Sequence, residues 1–196
     1  YGHVKMTFEP SGDMDTPYVF EQTVVGGAVP KNFFPAVEKG IAESVKKGPL
    51  AAYPVTGIKA VLYDGSYHPV DSSEMAFKVA TQQAFKKGIM EAKPVLLEPI
   101  ATLKVVVPEG YTGDVMGELN KRRARVMGMN PTDNGYQEIV VDIPYLELYG
   151  YNATLRSMTS GSGTFSYEFA RYEQAPDDVA AKQIEERASK LVEVEE

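Results

Sequence analysis

Residues 64–74, DGSYHPVDSSE, join two strongly patterned segments and decide how the first half of the chain folds. The preceding residues 58–63, IKAVLY, alternate as a half-buried strand does, whereas a helical pattern runs from Ser72 to about Ala92. The dipeptide at 64–65 is Asp-Gly, which favours a turn because glycine tolerates positive φ and aspartate bonds locally. The sequence therefore predicts a strand and a helix that are joined by a short exposed loop.

The loop carries an aromatic ring and an imidazole, Tyr67 and His68, and Pro69 stiffens the backbone beside them. Asp71 is expected to cap the following helix, with Glu74 bonding back to the cap amide. One interpretation is that these side chains form a working tip. The other is that the loop is an ordinary strand-to-helix connection.

Composition excludes several classes of site. The chain of 196 residues has no cysteine, so it cannot form a disulfide, a cysteine metal site or a thiol nucleophile. Its two histidines, His3 and His68, are far apart in sequence, which disfavours a zinc site, and we expect no bound metal. No apolar run is long enough to span a bilayer, and no signal peptide opens the chain. We therefore expect a cytoplasmic monomer without a membrane partner.

The charge is distributed unevenly along the chain. The formal net charge is −7, which argues weakly against nucleic-acid binding. Residues 1–97 nevertheless hold ten basic and ten acidic residues, whereas residues 98–196 hold ten and seventeen. The acidity belongs to the second half and mainly to its tail, so an RNA-facing surface elsewhere on the molecule is not excluded.

The first half alternates strand and helix patterns. Strands are predicted at 3–9, 18–25, 55–63 and 94–97, and a first helix runs from Pro35 to residue 47. The core face of this first helix is predicted to consist of Ala36, Val37, Ile41 and Val45. The core face of the helix from Ser72 is predicted to consist of Met75, Ala76, Val79, Ala80 and Phe85.

The second half has the element order βαββαβ. Strands are predicted at 103–107, 125–129, 138–143 and 164–172, with one helix at 111–124 and another that begins at Pro144 and continues through Leu155. This order closes a four-stranded antiparallel sheet under two helices, a ferredoxin-like arrangement. A terminal amphipathic helix at 176–196 offers four residues for packing, namely Val179, Ile184, Ala188 and Leu191.

The predicted fold class is therefore α+β, with two α/β-sandwich domains at 1–97 and 98–175 and a C-terminal helix at 176–196. No phosphate-cradling G-x-x-x-x-G-K-[ST], dinucleotide G-x-G-x-x-G or nucleophile G-x-S-x-G motif occurs. The loop does contain residue types found in hydrolytic triads, but they lie too close together in sequence to form one easily. They are Ser66, His68, Asp71 and Ser72. We expect no catalytic residue in this chain.

Two segments carry cations that could bind phosphate. Four of the five residues at 121–125 are basic, and such a cluster repels itself unless it is solvated or meets an anion. Because helix C-termini also favour cations, a purely structural role is the alternative interpretation. The second segment, 156–163, is a flexible Ser/Gly-rich loop with an arginine at its root. The candidate cations are Lys121, Arg122, Arg123, Arg125 and Arg156.

Several stretches, in matching order, resemble the C-terminal part of bacterial elongation factor G. They are YGHV at 1–4, VGGAVPK at 25–31, LYDGSYHPVDSSEMAF at 62–77, KPVLLEP at 93–99, GELNKRR at 117–123 and YGYNATLRS at 149–157. The resemblance implies that 1–97 is similar to the fourth domain, an α/β sandwich akin to a ribosomal-protein domain. It implies that 98–175 is similar to the ferredoxin-like fifth domain, and that the terminal helix packs near the first of the two.

The resemblance also implies partners and site residues. In the family the tip loops enter the ribosomal A site behind the moving tRNA and mRNA, and the fifth domain lies near ribosomal RNA. The implied tip residues are Gly26, Gly27, Ala28, Ser66, Tyr67, His68 and Pro69. The cations of 121–125 and Arg156 are the implied candidates for rRNA contact.

The GTPase domain of the family is not among these stretches. We therefore expect that the chain does not hydrolyse GTP, and that GTP and Mg²⁺ are cofactors of another domain of a longer parent. The match begins inside the fourth domain, so the chain is expected to be an excised part whose first sheet lacks an edge strand.

The segment 156–165, RSMTSGSGTF, departs from the more basic loop that is usual in the housekeeping factor. This departure leaves open whether the parent is a translocation factor or a paralogue that acts in ribosome recycling or ribosome protection. His68 matches the tip histidine of the family and favours translocation over protection. A stand-alone interaction module that does not bind ribosomes is a further hypothesis. Neutralising Arg122 and Arg123 would distinguish this module from a part of a translation factor, since ribosome association should weaken only in a translation factor.

Overall fold

The computed structural model of the protein describes residues 1–192, and the chain divides into two compact units. Unit 1 consists of Tyr1–Val95 together with the segment that begins at Pro176, and unit 2 consists of Leu96–Ala175. Each unit has its own sheet and helices, so the predicted α+β class is confirmed.

Unit 1 has a three-stranded sheet with two helices packed against it. Its strands and helices are β1 (His3–Pro10), β2 (Tyr18–Gln22), α1 (Phe34–Ser44), β3 (Ile58–Ser66) and α2 (Glu74–Glu91). The strand order is β1-β3-β2, with β1 antiparallel and β2 parallel to the central strand β3. The central strand runs directly into the loop that the sequence singled out.

The core face of α1 is the one predicted, since Ala36, Val37, Ile41 and Val45 are all buried. The two helices approach closely at Gly40, where a Cβ would lie only 2.8 Å from the Cβ of Thr81.

The predicted core face of α2 is wrong except at Phe85, which is buried as predicted. Met75 and Val79 are 63% and 41% exposed, and the buried residues are instead spaced four apart. Thr81 belongs to this buried stripe because its hydroxyl donates to the Phe77 carbonyl at 2.8 Å, which satisfies the polar group inside the helix. A prediction that counts threonine as a solvent-facing residue therefore places the buried face of α2 on the wrong side of the helix. The buried residues are Phe77, Thr81, Phe85 and Ile89.

Several boundaries in unit 1 also differ from the prediction. The strand β2 ends at Gln22 and not at residue 25, and β3 spans Ile58–Ser66 and not 55–63, so the predicted turn at 64–65 is part of the strand. The N-cap of α2 is Ser73, whose Oγ accepts from the amide of Ala76 at 3.1 Å, and not Asp71. The residues at 94–96 form no strand, and Leu97 begins the first strand of unit 2.

Unit 2 has the predicted βαββαβ order, which is thereby confirmed. Its four strands are all paired antiparallel in the order β5-β6-β4-β7. The elements are β4 (Leu97–Pro108), α3 (Thr112–Lys121), β5 (Arg125–Pro131), β6 (Tyr136–Pro144), α4 (Tyr151–Met158) and β7 (Thr164–Gln174).

The core of unit 2 lies between the sheet and the two helices. Alternate residues of β4, among them Leu103 and Val105, are fully buried against Leu119 of α3 and Leu155 of α4. The predicted long helix from Pro144 is wrong. A short 3₁₀ turn at Tyr145–Leu148 is followed by Gly150, whose left-handed backbone (φ 74°) separates the turn from α4.

The terminal segment forms two short helices rather than the one predicted at 176–196. They are α5 (Asp177–Glu186) and α6 (Ala188–Val192), and residues 193–196 of the prediction lie outside the described part. Of the predicted packing residues, Val179, Ile184 and Leu191 are half-buried and Ala188 is exposed. Across residues 1–192, no helix combines the length and the apolar character that crossing a membrane would require.

Candidate functional site

The tip, residues 66–69, begins at the end of the central strand. Ser66 is the last residue of β3 and is paired with His3 of β1. Its Oγ lies 2.7 Å from the Tyr1 hydroxyl and 2.9 Å from Nδ1 of His3. Tyr1 and His3 thus anchor the base of the tip, and neither was among the predicted tip residues. Pairing the alternating segments 3–9 and 58–66 as neighbouring strands would have found them.

The turn that follows, residues 68–72, is closed by hydrogen bonds to its own atoms. The His68 amide donates to Oγ of Ser72 at 2.8 Å, and the Ser72 amide donates to the His68 carbonyl at 3.2 Å. The amides of Val70 and Asp71 both donate to Nδ1 of His68, at 3.2 Å and 3.1 Å. The loop is therefore a fixed turn between a strand and a helix.

The side chains of this end remain accessible although the backbone is held. Tyr67 is 46% exposed and Val70 is 82% exposed, while the His68 side chain is 51% exposed. An aromatic ring, an imidazole and an apolar side chain therefore face solvent on a rigid support. Such groups can stack on bases or donate hydrogen bonds to RNA.

The glycine loop, residues 26–28, precedes a buried valine that packs at the base of the tip. Gly26 and Gly27 have left-handed backbones (φ 69° and 68°), and an added Cβ at either would have no atom within 4 Å. The loop runs into Val29, whose buried side chain packs on Gly65, just before the tip. A Cβ at Gly65 would lie 2.6 Å from Cγ2 of Val29 and would overlap the His3 carbonyl oxygen. Thus Val29 and Gly65, which adjoin the two loops that the resemblance implied, pack against each other.

The serines of the loop do not form a hydrolytic arrangement with His68. The Ser66 hydroxyl bonds Tyr1 and His3, and the Ser72 hydroxyl accepts from the His68 amide, so neither bonds the imidazole. Within residues 1–192, His, Asp and Glu side chains form no group of three that could hold a metal ion.

Arg122 of the basic cluster, residues 121–125, is held by its own unit. Its guanidinium donates to the carbonyls of Glu147 and Tyr149, at 2.5 Å and 3.0 Å, and to the Glu118 carboxylate at 3.1 Å. It also lies 5.1 Å from the ring centroid of Tyr151. With a side chain only 16% exposed, Arg122 joins α3 to the segment that precedes α4.

Arg123 is also engaged internally. Its guanidinium forms a bidentate pair with Glu98, at 2.9 Å and 3.0 Å, and a further ion pair with Glu147 at 3.1 Å. The hydrogen bonds that Arg123 donates to Glu98, followed by the one that it donates to Glu147, raise the pKa of Arg123 well above its usual value despite partial burial. The backbone of Arg123 is left-handed (φ 60°), as expected where a chain leaves a helix. The anions that this cluster requires are thus supplied in part by unit 2 itself.

Arg125 belongs to a charge network on β5 and its neighbours. It lies 2.9 Å from Glu173, and Arg171 lies 2.8 Å from both Glu173 and Asp142. Hydrogen bonds from Arg171 and then Arg125 lower the pKa of Glu173. The Arg125 side chain is still 62% exposed.

The remaining two cations, Lys121 and Arg156, are exposed, and neither takes part in an ion pair within the described residues. The loop after Arg156 was predicted to be flexible, but hydrogen bonds close it. The buried Thr159 hydroxyl accepts from the Gly163 amide at 2.9 Å, and the Gly161 amide donates to the Arg156 carbonyl at 2.9 Å. The loop is therefore a compact cap on α4.

Both units match domains of a translation-factor family. The model described as "Elongation factor G, domain IV" matches residues 1–93, and the model described as "Elongation factor G C-terminus" matches residues 95–183. The two models together account for nearly the whole chain. The chain belongs to the elongation factor G family through these two domains.

Individual relatives agree with the family models. An "Elongation factor G-like protein" of Thermotoga maritima is 48% identical over 195 residues, which is 100% of this chain and 28% of that protein. A crystal structure of a protein from Thermus thermophilus is 42% identical, with a TM-score of 0.82 over 96% of this chain. The chain spans 28% of the length of each.

Proposed function

We propose that this chain is the ribosome-engaging part of a translational GTPase that promotes the movement of tRNA and mRNA during protein synthesis. The tip and the glycine loop would contact RNA at the A site of the small subunit. Unit 2 would contact ribosomal RNA of the large subunit. The proposed compartment is the cytoplasm, and the proposed state is a monomer.

One observation carries this proposal, namely that the exposed side chains belong to a turn whose backbone is held by hydrogen bonds. Tyr67 and Val70 are exposed, but the backbone between them is tied by bonds to His68 and Ser72. A strand enters the turn and a helix leaves it, so a force on the tip is transmitted to the sheet of unit 1. A wedge that enters between RNA elements needs this combination of accessible rings and a stiff base.

The rRNA contacts of unit 2 are assigned mainly to Lys121 and Arg156, with Arg125 as a further contact. Their side chains are exposed, whereas Arg122 and Arg123 already bind carboxylates and carbonyls of their own unit. Arg122 and Arg123 would then stabilise the fold of unit 2, and the exposed cations would bind the phosphates of the rRNA. GTP and Mg²⁺ would be bound by another domain of the longer protein, and no step of that chemistry uses the residues described above.

The proposal is tested in the longer protein by removing bulk from the tip. Replacing Tyr67 and Val70 by alanine leaves the four bonds that close the turn in place, since those bonds use neither side chain. We expect translocation on ribosomes to slow at least about tenfold, equivalent to about 1.4 kcal/mol in the barrier, while GTP hydrolysis persists. Val79→Ala, which truncates an exposed valine of α2, is the matched control and should not change either rate. Unchanged translocation in the tip variant would refute the proposal.

A second candidate is a paralogue that acts in ribosome recycling or ribosome protection. It is favoured by the name of the Thermotoga relative, "Elongation factor G-like protein", and by the Ser/Gly-rich loop at 156–163. If the wild-type protein fails to translocate but splits ribosomes when recycling factor is added, this candidate replaces the first.

A further inference from the structure

All four hydrogen bonds that close the turn at 68–72 use an atom of His68. Its amide donates to Ser72 Oγ, its carbonyl accepts from the Ser72 amide, and its Nδ1 accepts from Val70 and Asp71. Pro69 has no amide hydrogen, so every amide hydrogen of these five residues has an acceptor within the turn. His68 is therefore the residue on which the shape of the turn depends.

This arrangement decides where the imidazole carries its proton. A ring nitrogen that accepts hydrogen bonds must have its lone pair free, and a neutral imidazole has one such nitrogen and one N–H. The two amides that donate to Nδ1, at 3.2 Å and 3.1 Å, favour the neutral tautomer with its proton on Nε2. The half-exposed ring then offers a single donor, the Nε2–H group.

Charged groups near the ring set the alternative state. The Asp71 carboxylate lies 3.2 Å from Nδ1 and is a possible partner for this nitrogen. A tautomer with its proton on Nδ1 would instead donate to the Asp71 carboxylate and would lose both amide bonds. The tautomer therefore decides whether the ring holds the turn.

We propose that His68 is a positioning residue, which holds the tip turn through Nδ1 and leaves Nε2–H as a donor for an acceptor atom of RNA. The holding role follows from the geometry of this chain, and only the identity of the acceptor rests on the proposed function. The proposal separates two tasks that one imidazole performs with its two nitrogens.

Two substitutions separate these tasks. The side-chain oxygen of His68→Asn occupies about the position of Nδ1 and keeps the acceptor for the two amides. The side-chain amide of His68→Gln reaches about the position of Nε2 and loses that acceptor. The chain has only two histidines, so the imidazole nitrogen NMR spectrum contains two rings, and His68→Ala assigns them.

The first measurement uses the chain of 196 residues without ribosomes. In the wild type at about pH 8, we expect the His68 spectrum to show the proton on Nε2. The amides of Val70 and Asp71 should exchange about tenfold faster in His68→Gln than in the wild type, and His68→Asn should stay near the wild type. A proton on Nδ1 at pH 8, or equal exchange in the two variants, would overturn the proposal.

The second measurement uses the longer protein on ribosomes and tests the acceptor. If Nε2–H contacts RNA, His68→Asn should slow translocation although its turn is intact, and His68→Gln should keep part of the donor function. Wild-type rates for His68→Asn would overturn the donor role alone. Because the exchange measurement needs no ribosome, failure of the proposed function would leave the holding role standing, and the two failures are distinguishable.

Discussion

At the scale of single residues, the buried hydroxyl of Tyr151 makes the free energy of unfolding depend on pH. The residue is 1% exposed, and within residues 1–192 its hydroxyl has no hydrogen-bond partner. Burial raises the pKa of Tyr151 to about 12, and the carboxylate of Glu118 adds to this effect while the Arg122 guanidinium opposes it. The folded state thus holds the phenolic proton more tightly than the unfolded chain, in which tyrosine titrates near about pH 10.

The direction of the pH dependence follows from this difference. Below about pH 10 the hydroxyl is protonated in both states, and above it the unfolded state releases the proton first. Unfolding therefore becomes easier between about pH 10 and pH 12. A shift of about two units corresponds to roughly 2–3 kcal/mol lost from the free energy of unfolding. Tyr151→Phe should remove this part of the loss.

The measurement is urea unfolding of the wild type and Tyr151→Phe at neutral and alkaline pH. At neutral pH the variant should be as stable as the wild type or more stable by up to about 1 kcal/mol, since it removes a buried group without a partner. The difference should grow as pH rises. A variant that is less stable at neutral pH by more than about 1 kcal/mol would show that the hydroxyl is bonded after all.

At this scale, the sequence does not reveal which anions pair with Arg123. Four cations in five positions indicated an anion partner, and that inference was physically sound. The partners are Glu98 and Glu147, which are 25 and 24 residues away along the chain and become neighbours only when unit 2 folds. Local charge patterning cannot distinguish an internal carboxylate from an external phosphate.

At the scale of elements, patterns that depend on local periodicity were predictable. The βαββαβ order of unit 2 follows from alternation in β4 and β6 and from helical spacing in α3, and it is confirmed. The core face of α2 was wrong because a buried threonine satisfies its hydroxyl within the helix. The long helix predicted from Pro144 is interrupted at Gly150, which has a left-handed backbone. The prediction missed this break because the hydrophobic spacing continues across Gly150.

The last turns of α3 and α4 carry the cations that remain for RNA. In the longer protein, replacing Lys121 and Arg156 by alanine should weaken ribosome association and make it less sensitive to salt. Each phosphate contact contributes about 0.7–0.9 to the slope of log affinity against log salt concentration, so the loss of two contacts should reduce the slope by up to about 1.4–1.8. The measurement is ribosome binding at several salt concentrations.

Lys104→Ala is the matched control, because it removes one exposed cation from β4 of the same unit. It should leave the slope unchanged. A double variant at Lys121 and Arg156 that behaves like this control would reject the rRNA assignment. Arg123→Ala is unsuitable as a probe of binding, since it leaves Glu98 without its bidentate partner and lowers the stability of unit 2.

At the scale of the whole molecule, the terminal segment completes unit 1 through contacts that span most of the chain. Nε of Arg187 donates to the Ala51 carbonyl at 2.6 Å, and its guanidinium lies 3.7 Å from the ring centroid of Tyr53. The Tyr53 hydroxyl donates to the side chain of Gln183 at 3.0 Å. The residues of each pair are 130 or more positions apart, so periodicity within the terminal helix could not reveal them. Only the resemblance implied this docking.

These contacts predict that Arg187→Met destabilises unit 1 and leaves unit 2 unchanged. The substitution removes a hydrogen bond from a charged donor and a cation–π contact, together about 2 kcal/mol at a partly buried position. The core of unit 2 is built from its own residues, between Ala101 and Leu155, and none of them touches Arg187 in the described contacts. Amide hydrogen exchange, which reports opening residue by residue, is the measurement.

The expected result is faster exchange in β3 and α1 of unit 1 with unchanged exchange in β4 and β6 of unit 2. Lys190→Met is the matched control, because Lys190 is an exposed cation of the same segment, and it should change neither unit. If Arg187→Met accelerates exchange equally in both units, the two do not unfold independently. If it accelerates exchange in neither, the docking contacts contribute nothing to stability, and the terminal helices are held by their half-buried apolar residues alone.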